Sequence, residues 1–294
     1  MAEWHSDQAA GLRRLVSKAA PRSICFNGGR GGTGASSTIL NLAVAMSLSG
    51  KRVLILDEHR RSGNIAGRLG LAAPMDLEQV LLDRLPLESL LYTGPCGIEL
   101  MQVSASTAQL ARLSAFEEDR LAFEFSQLTS STDVILIDAL AAEGNRVPSF
   151  NLASAVSVIV VSNRAESLTD AYAMMKLLNR EYGQRQFRVL VNRVDSLAEA
   201  KAVFERLTEV SQRFIDVEPK LIGYVPEDDK LAQACRLGQP VVTAFPAANA
   251  SQAFEQLARS IEKWPPPDNE RYATVGFLHR LIQSSRALAE GLNH

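Results

Sequence analysis

Short apolar runs and longer stretches with helical spacing alternate along most of this chain. The runs are "SICFN" (23–27), "RVLILD" (52–57), "IELMQV" (98–103), "DVILIDA" (133–139), "VSVIVVS" (156–162), "FRVLVNRV" (187–194) and "KLIGYVP" (220–226). Runs of this length, apolar almost throughout, predict strands covered on both faces rather than half-exposed ones. Separated by helices, they predict an α/β fold with a twisted, mostly parallel sheet sandwiched between helical layers. Two segments lie outside this rhythm. A helix is expected around residues 7–19, stopped by Pro21, and a second lies beyond "WPPPDN" (264–269), whose prolines cannot continue a helix and mark a linker. The expected organisation is therefore an N-terminal helix (1–21), one α/β domain (22–263) and a linked C-terminal helix (264–294).

Composition narrows the function classes. With 294 residues, 46% of them apolar, and a net charge of −2, the chain can bury a large core and offers no basic excess for nucleic acid. Cys25, Cys96 and Cys235 lack the paired spacing of a zinc or redox site, which suits a reducing cytosol. No apolar run reaches the roughly 18 residues of a spanning helix, and no signal region opens the chain, so a cytoplasmic protein is expected.

The chemistry concentrates where the first strand meets the first long helix. "GRGGTGASST" (29–38) places Gly29, Gly34 and Ser36 in the register of G-x-x-x-x-G-K-[ST], a loop whose backbone N–H groups cradle phosphate at a helix N-terminus. Ala35 stands where the pattern has its lysine. Losing that ammonium removes a charge-assisted contact of about 1.5–3 kcal/mol, enough to weaken nucleotide roughly 10- to 100-fold, with a larger penalty in the transition state.

The stretch resembles the deviant phosphate loop of the MinD/ParA ATPases, G-K-G-G-x-G-K-[ST]-[ST]-x-x-x-N-L-A. Gly29, Gly31, Gly32, Gly34, Ser36, Ser37, Asn41, Leu42 and Ala43 match it, with Thr33 at the variable position. Arg30 replaces the signature lysine that in relatives reaches a dimer partner's phosphates, and Ala35 replaces the ordinary one. "LDEHRRSGN" (56–64) is similar to the L-D-A-D-x-x-x-x-N segment, keeping Asp57 but carrying His59 in place of the aspartate that positions the attacking water. "DVILIDALAAEG" resembles a Walker B strand and keeps Asp138 without the usual D-T-x-A-G ending. Asn192 of "VNRVDS" falls at the position that reads adenine in relatives. The resemblance implies ATP or ADP with Mg²⁺ held by Ser36, Asp57 and Asp138, if nucleotide binds, and a homodimer as one of its states.

Within that superfamily the chain resembles the FlhG (FleN) group of flagellar regulators. "SLTDAYAMMKLL" (167–178) is shared by MinD and FlhG, whereas "DQAAGLRRL" (7–15) is similar to a helix that FlhG has and MinD lacks. In that group the helix binds and stimulates the signal-recognition-type GTPase FlhF, which assigns Asp7, Gln8, Ala9, Leu12 and Arg13 to partner binding; C-ring or transcriptional activator proteins are further partners to expect. The tail "VGFLHRLIQSSRALAEGL" puts Phe277, Leu278, Leu281 and Ile282 on one face beside His279, Arg280 and Arg286, resembling the family's membrane-targeting helix. The proline linker favours a tail held off the domain and available to the inner membrane or cell pole over one folded back on it. Three readings stand at this point: a regulator acting through partners with impaired hydrolysis, an ATPase using Arg30 as its phosphate cation, with Arg60 and Arg61 nearby, or a MinD-like accessory of another envelope machine such as cellulose secretion.

Overall fold

The computed structural model describes residues 21–29, 32–59, 63–72, 75–104, 107–141, 149–265 and 274–290. Its strands are β1 (Arg22–Gly28), β2 (Val53–Asp57), β3 (Leu91–Thr93), β4 (Glu99–Gln102), β5 (Val134–Ala139), β6 (Val156–Ser162), β7 (Gln186–Val194) and β8 (Glu218–Pro226). They form one sheet in the order β3-β4-β2-β5-β1-β6-β7-β8, parallel except for β3 against β4. The helices are α1 (Ala35–Leu48), α2 (Ile65–Arg68), α3 (Leu77–Asp83), α4 (Thr107–Ala111), α5 (Ala115–Leu128) and α6 (Ser149–Ala153). After them come α7 (Ala165–Tyr182), α8 (Leu197–Phe214), α9 (Asp229–Arg236), α10 (Val241–Ala244), α11 (Asn249–Glu262) and α12 (Thr274–Glu290).

The strands are buried on both faces because successive side chains feed opposite layers. Ile24 and Phe26 of β1 join one core with α1, α10 and α11, while Cys25 between them joins the opposite core with α5 and α12. Val134 and Leu136 of β5 divide from Ile135 and Ile137 in the same way. Towards the β8 edge, Ile159, Val161, Val189 and Val191 pack under α7 and α8. All seven sequence-predicted strands are present. The additional one, β3, is a three-residue antiparallel edge strand, too short for a periodic signal.

The tail corrects an expectation. Phe277, Leu278, Leu281 and Ile282 are buried in the core shared with β2 and β5, with Ile282 at 0% exposure. The Phe277 ring stacks on Phe125 at 5.6 Å and tilts against Phe150 at 6.3 Å. The basic flank is used as well: Arg280 donates through Nε and Nη2 to the Ala153 carbonyl at 3.1 and 2.9 Å, and Arg286 donates to the Leu113 carbonyl at 3.0 Å. A face of four large apolar residues releases several kcal/mol wherever it leaves water, and α4, α5 and α6 offer an apolar groove with carbonyls at its rim. The linker therefore does not keep α12 off the domain, and these four residues face protein rather than lipid in this conformation. Among the described residues no helix is long and apolar enough to cross a membrane.

Candidate functional site

The sheet order brings the C-terminal ends of β1, β2 and β5 side by side, and parallel pairing sets Asp57 directly opposite Asp138. Open α/β sheets bind their ligands at this edge. β1 runs into the glycine loop and α1 starts from it. Gly34 is the N-cap of α1 in a left-handed conformation, φ +88°, and a Cβ there would stand 2.4 Å from Asn192 Nδ2. Both the backbone sign and the close approach require glycine. No side chain caps this helix, so its first-turn N–H groups remain available to an anion, as the loop pattern expects. Gly32, at φ +68°, completes the described part of the turn. Arg30 and Gly31 of the predicted site, with Arg60 and Arg61, lie outside the described residues, as do Asp7, Gln8, Ala9, Leu12 and Arg13.

Several motif residues hold the loop itself. Asn192 at the end of β7 donates to the Thr33 carbonyl at 2.7 Å, while its Oδ1 is buried without a partner. Thr33 turns inward, 3% exposed, with an unpartnered hydroxyl. Asn41 donates to the Ser37 carbonyl at 2.8 Å and accepts from Val241 N–H at 2.7 Å, pinning α1 to α10. The Ser37 hydroxyl lies 3.2 Å from Cys235 Sγ. Gly29 packs so closely on Asp170 of α7 that a Cβ would meet its Oδ2 at 2.7 Å, which ties "SLTDAYAMMK" to the loop. Loop backbone and Ser36 suit a phosphate; at Ala35 there is no cation to meet it.

On the other side of the loop lies an acidic cluster. Asp57 is fully buried; its Oδ1 accepts the His59 backbone N–H at 2.9 Å and its Oδ2 accepts Ile65 N–H at 2.6 Å. The His59 ring has Nδ1 3.2 Å from Asp57 Oδ1 and 3.5 Å from Asp138 Oδ2. Asp138 is fully buried, and neither carboxylate oxygen has a hydrogen-bond partner. Burial first, then the Asp57 charge, pushes its pKa up to about 7, against the pull of His59 and of the Ser36 hydroxyl, which lies close without completing a hydrogen bond. His59 is held above the ordinary histidine value chiefly by its hydrogen bond to Asp57, in spite of partial burial.

Sequence reasoning passed over two neighbours. Glu58, where the family pattern has alanine, is buried and accepts Leu140 N–H at 2.9 Å, and burial raises its pKa to about 8. Gln102 of β4, opposite Asp57 in register, donates to the Asp57 carbonyl at 3.0 Å and to the His59 carbonyl, and accepts from Asn64 Nδ2 at 2.9 Å. An acid in place of alanine was a usable signal for Glu58. Gln102 had none, because its role comes from strand pairing.

The chain matches the sequence family described as the CobQ/CobB/MinD/ParA nucleotide binding domain over residues 24–241. It is 35% identical over 272 residues to the antiactivator FleN of Pseudomonas aeruginosa, covering 92% of this chain and 97% of that protein. It is 24% identical to the flagellum site-determining protein YlxH of Helicobacter pylori, over 86% of this chain and 89% of that one. Among solved structures, the MinD cell division protein of Aquifex aeolicus aligns with a TM-score of 0.65 at 25% identity, covering 84% of this chain and 99% of that chain.

Proposed function

Since the chain belongs to the CobQ/CobB/MinD/ParA nucleotide-binding family, we propose that it is a FlhG (FleN)-type regulator of flagellar number or placement that works through protein partners, with ATP hydrolysis impaired. The likeness to FleN extends over nearly the whole of both chains, which supports the flagellar role over a general division role. The observation that carries the loss of turnover is the pairing of Ala35 with His59. Phosphoryl transfer depends on positioned cations and an oriented water. Here the lysine position after Gly34 holds Ala35, and an imidazole lies between Asp57 and Asp138 where a water-orienting carboxylate would be.

The partner is an FlhF-type GTPase, met by the segment carrying Asp7, Gln8, Ala9, Leu12 and Arg13. Purified full-length protein should show no ATP turnover above background yet raise GTP hydrolysis by FlhF, and Leu12→Asp should abolish the stimulation. Robust turnover lost on Asp138→Ala, or no effect on FlhF at excess, would sink this reading.

A second reading, ATP or ADP bound weakly as a ligand without turnover, is favoured by one detail. The buried Asn192 Oδ1 and Thr33 Oγ1 lack partners, and an adenine amino group beside the loop would supply the donor that Asn192 misses. Calorimetric titration with ATP and Mg²⁺ tests it: high-micromolar affinity that tightens about 10-fold or more in Ala35→Lys supports it.

A further inference from the structure

The acidic cluster carries a ligand class that the nucleotide loop does not require. We infer that Asp57, His59 and Asp138 form a binding site for a divalent transition-metal ion of the zinc class, filled without nucleotide. One atom from each residue, Asp57 Oδ1, His59 Nδ1 and Asp138 Oδ2, lies within 4.8 Å of the others, with the imidazole 3.2 and 3.5 Å from the two oxygens. Ligand atoms around a tetrahedral ion with bonds of about 2.1 Å are separated by about 3.4 Å, so the imidazole-to-carboxylate spacing already has the right scale.

The second observation is Asp138 itself. It is a fully buried carboxylate whose oxygens complete no hydrogen bond, and the positive group against it is the His59 imidazole, Nδ1 at 3.5 Å from Oδ2; an ion bound between the two would take over that counter-charge. Asp138 Oδ2 lies on the same side as His59 Nδ1 and Asp57 Oδ1. Asp57 is oriented as a metal ligand usually is, with Ile65 N–H fixing its second oxygen, and Gln102 holds the backbone carbonyls of Asp57 and His59. The His59 side chain is 31% exposed, which leaves a route from solvent and room for water as a further ligand.

The donor set chooses the ion. Magnesium prefers six oxygens and keeps much of its water, whereas one imidazole with two carboxylates suits Zn²⁺, Co²⁺ or Ni²⁺. Replacing an aspartate by His59 therefore changes the preferred metal as well as removing a carboxylate. The site is built from side chains alone, so it needs no phosphate, and it stands independently of the flagellar reading.

The test uses the full chain, stripped with chelator and free of nucleotide, titrated with Zn²⁺ alone by calorimetry and with Co²⁺ by visible d–d absorption. One ion per chain is expected, at micromolar affinity or tighter, with Co²⁺ bands showing nitrogen and oxygen ligation. His59→Ala, at a partly exposed side chain, should weaken binding about 100-fold, as should the isosteric Asp138→Asn, while Cys96→Ser with Cys235→Ser leaves it unchanged. His59→Asp should lower Zn²⁺ affinity and raise that for Mg²⁺. Absence of binding at millimolar metal, or binding indifferent to both His59→Ala and Asp138→Asn, overturns the inference; loss of binding in the double cysteine variant would assign the ion to thiols and overturn it too.

Discussion

The docked tail and the acidic cluster both bury polar groups against the same sheet, and they treat them in opposite ways. Under α12 the buried polar contacts are paired: Arg280 caps the Ala153 carbonyl, Arg286 meets Glu118 at 2.9 Å as well as the Leu113 carbonyl, and the buried Ser285 hydroxyl donates to Leu281 O at 2.8 Å. At the strand ends Asp138 has no hydrogen bond, and Glu58 and Asp138 share one small volume with Asp57. A satisfied interface reports selection for packing. An under-satisfied one, where Asp138 has only the His59 imidazole at 3.5 Å, is where a ligand has a partner to supply.

Breaking the satisfied region should have the largest effect. Ile282 is fully enclosed, so Ile282→Asp places an uncompensated charge in the core and should cost about 4 kcal/mol or more. Urea unfolding should show a much lower midpoint, or limited proteolysis should release the tail while the α/β body stays resistant. Unchanged stability would mean that α12 is not docked in solution.

The unsatisfied region should respond with the opposite sign. Asp138→Asn removes a buried charge without changing its shape, and in chelator-treated protein it should raise stability by about 1–2 kcal/mol. Thermal melts in chelator and in Zn²⁺ check this: the variant should melt above the wild type in chelator, and the wild type alone should gain from metal. A destabilised variant in chelator would show that Asp138 already has the counter-charge it needs.

The contrast also explains what the sequence disclosed. Strand positions were legible because both-face burial makes "VILIDA" and "VSVIVV" apolar throughout, and that pattern is local. That Asp57, His59 and Asp138 belong to one site was legible only through their resemblance to the MinD/ParA motifs, and the parallel pairing of β2 with β5 supplies the contact. Gln102 was illegible because its contact with Asp57 depends on β4 lying beside β2 with β3 folded back as an edge. The destination of α12 was illegible for a different reason. An apolar face with basic flanks is equally suited to a lipid surface and to a groove whose rim presents carbonyls and an acid, and only the tertiary structure supplies the groove.

The smallest predicted effect bears on whether that tail can exchange between the two environments. Glu118 on α5 is nearly buried, accepts from Arg286 at 2.9 Å and has His279 Nε2 at 3.8 Å, so it anchors the basic flank of α12 from the domain side. Glu118→Lys leaves every tail residue untouched, including those that would meet a membrane, and replaces attraction by repulsion at the rim. Arg286 is 37% exposed, so solvent screens part of the pair and the change should be about 1–2 kcal/mol. That raises the undocked fraction roughly 5- to 30-fold without unfolding the sheet. Freed Phe277, Leu278, Leu281 and Ile282 would then be exposed together on one face. Co-sedimentation with anionic vesicles should therefore rise in Glu118→Lys, fall back when Phe277→Asp is added, and be weakest in the wild type. Equal sedimentation of wild type and Glu118→Lys would show that the tail stays part of the core, with its amphipathic face serving the fold alone.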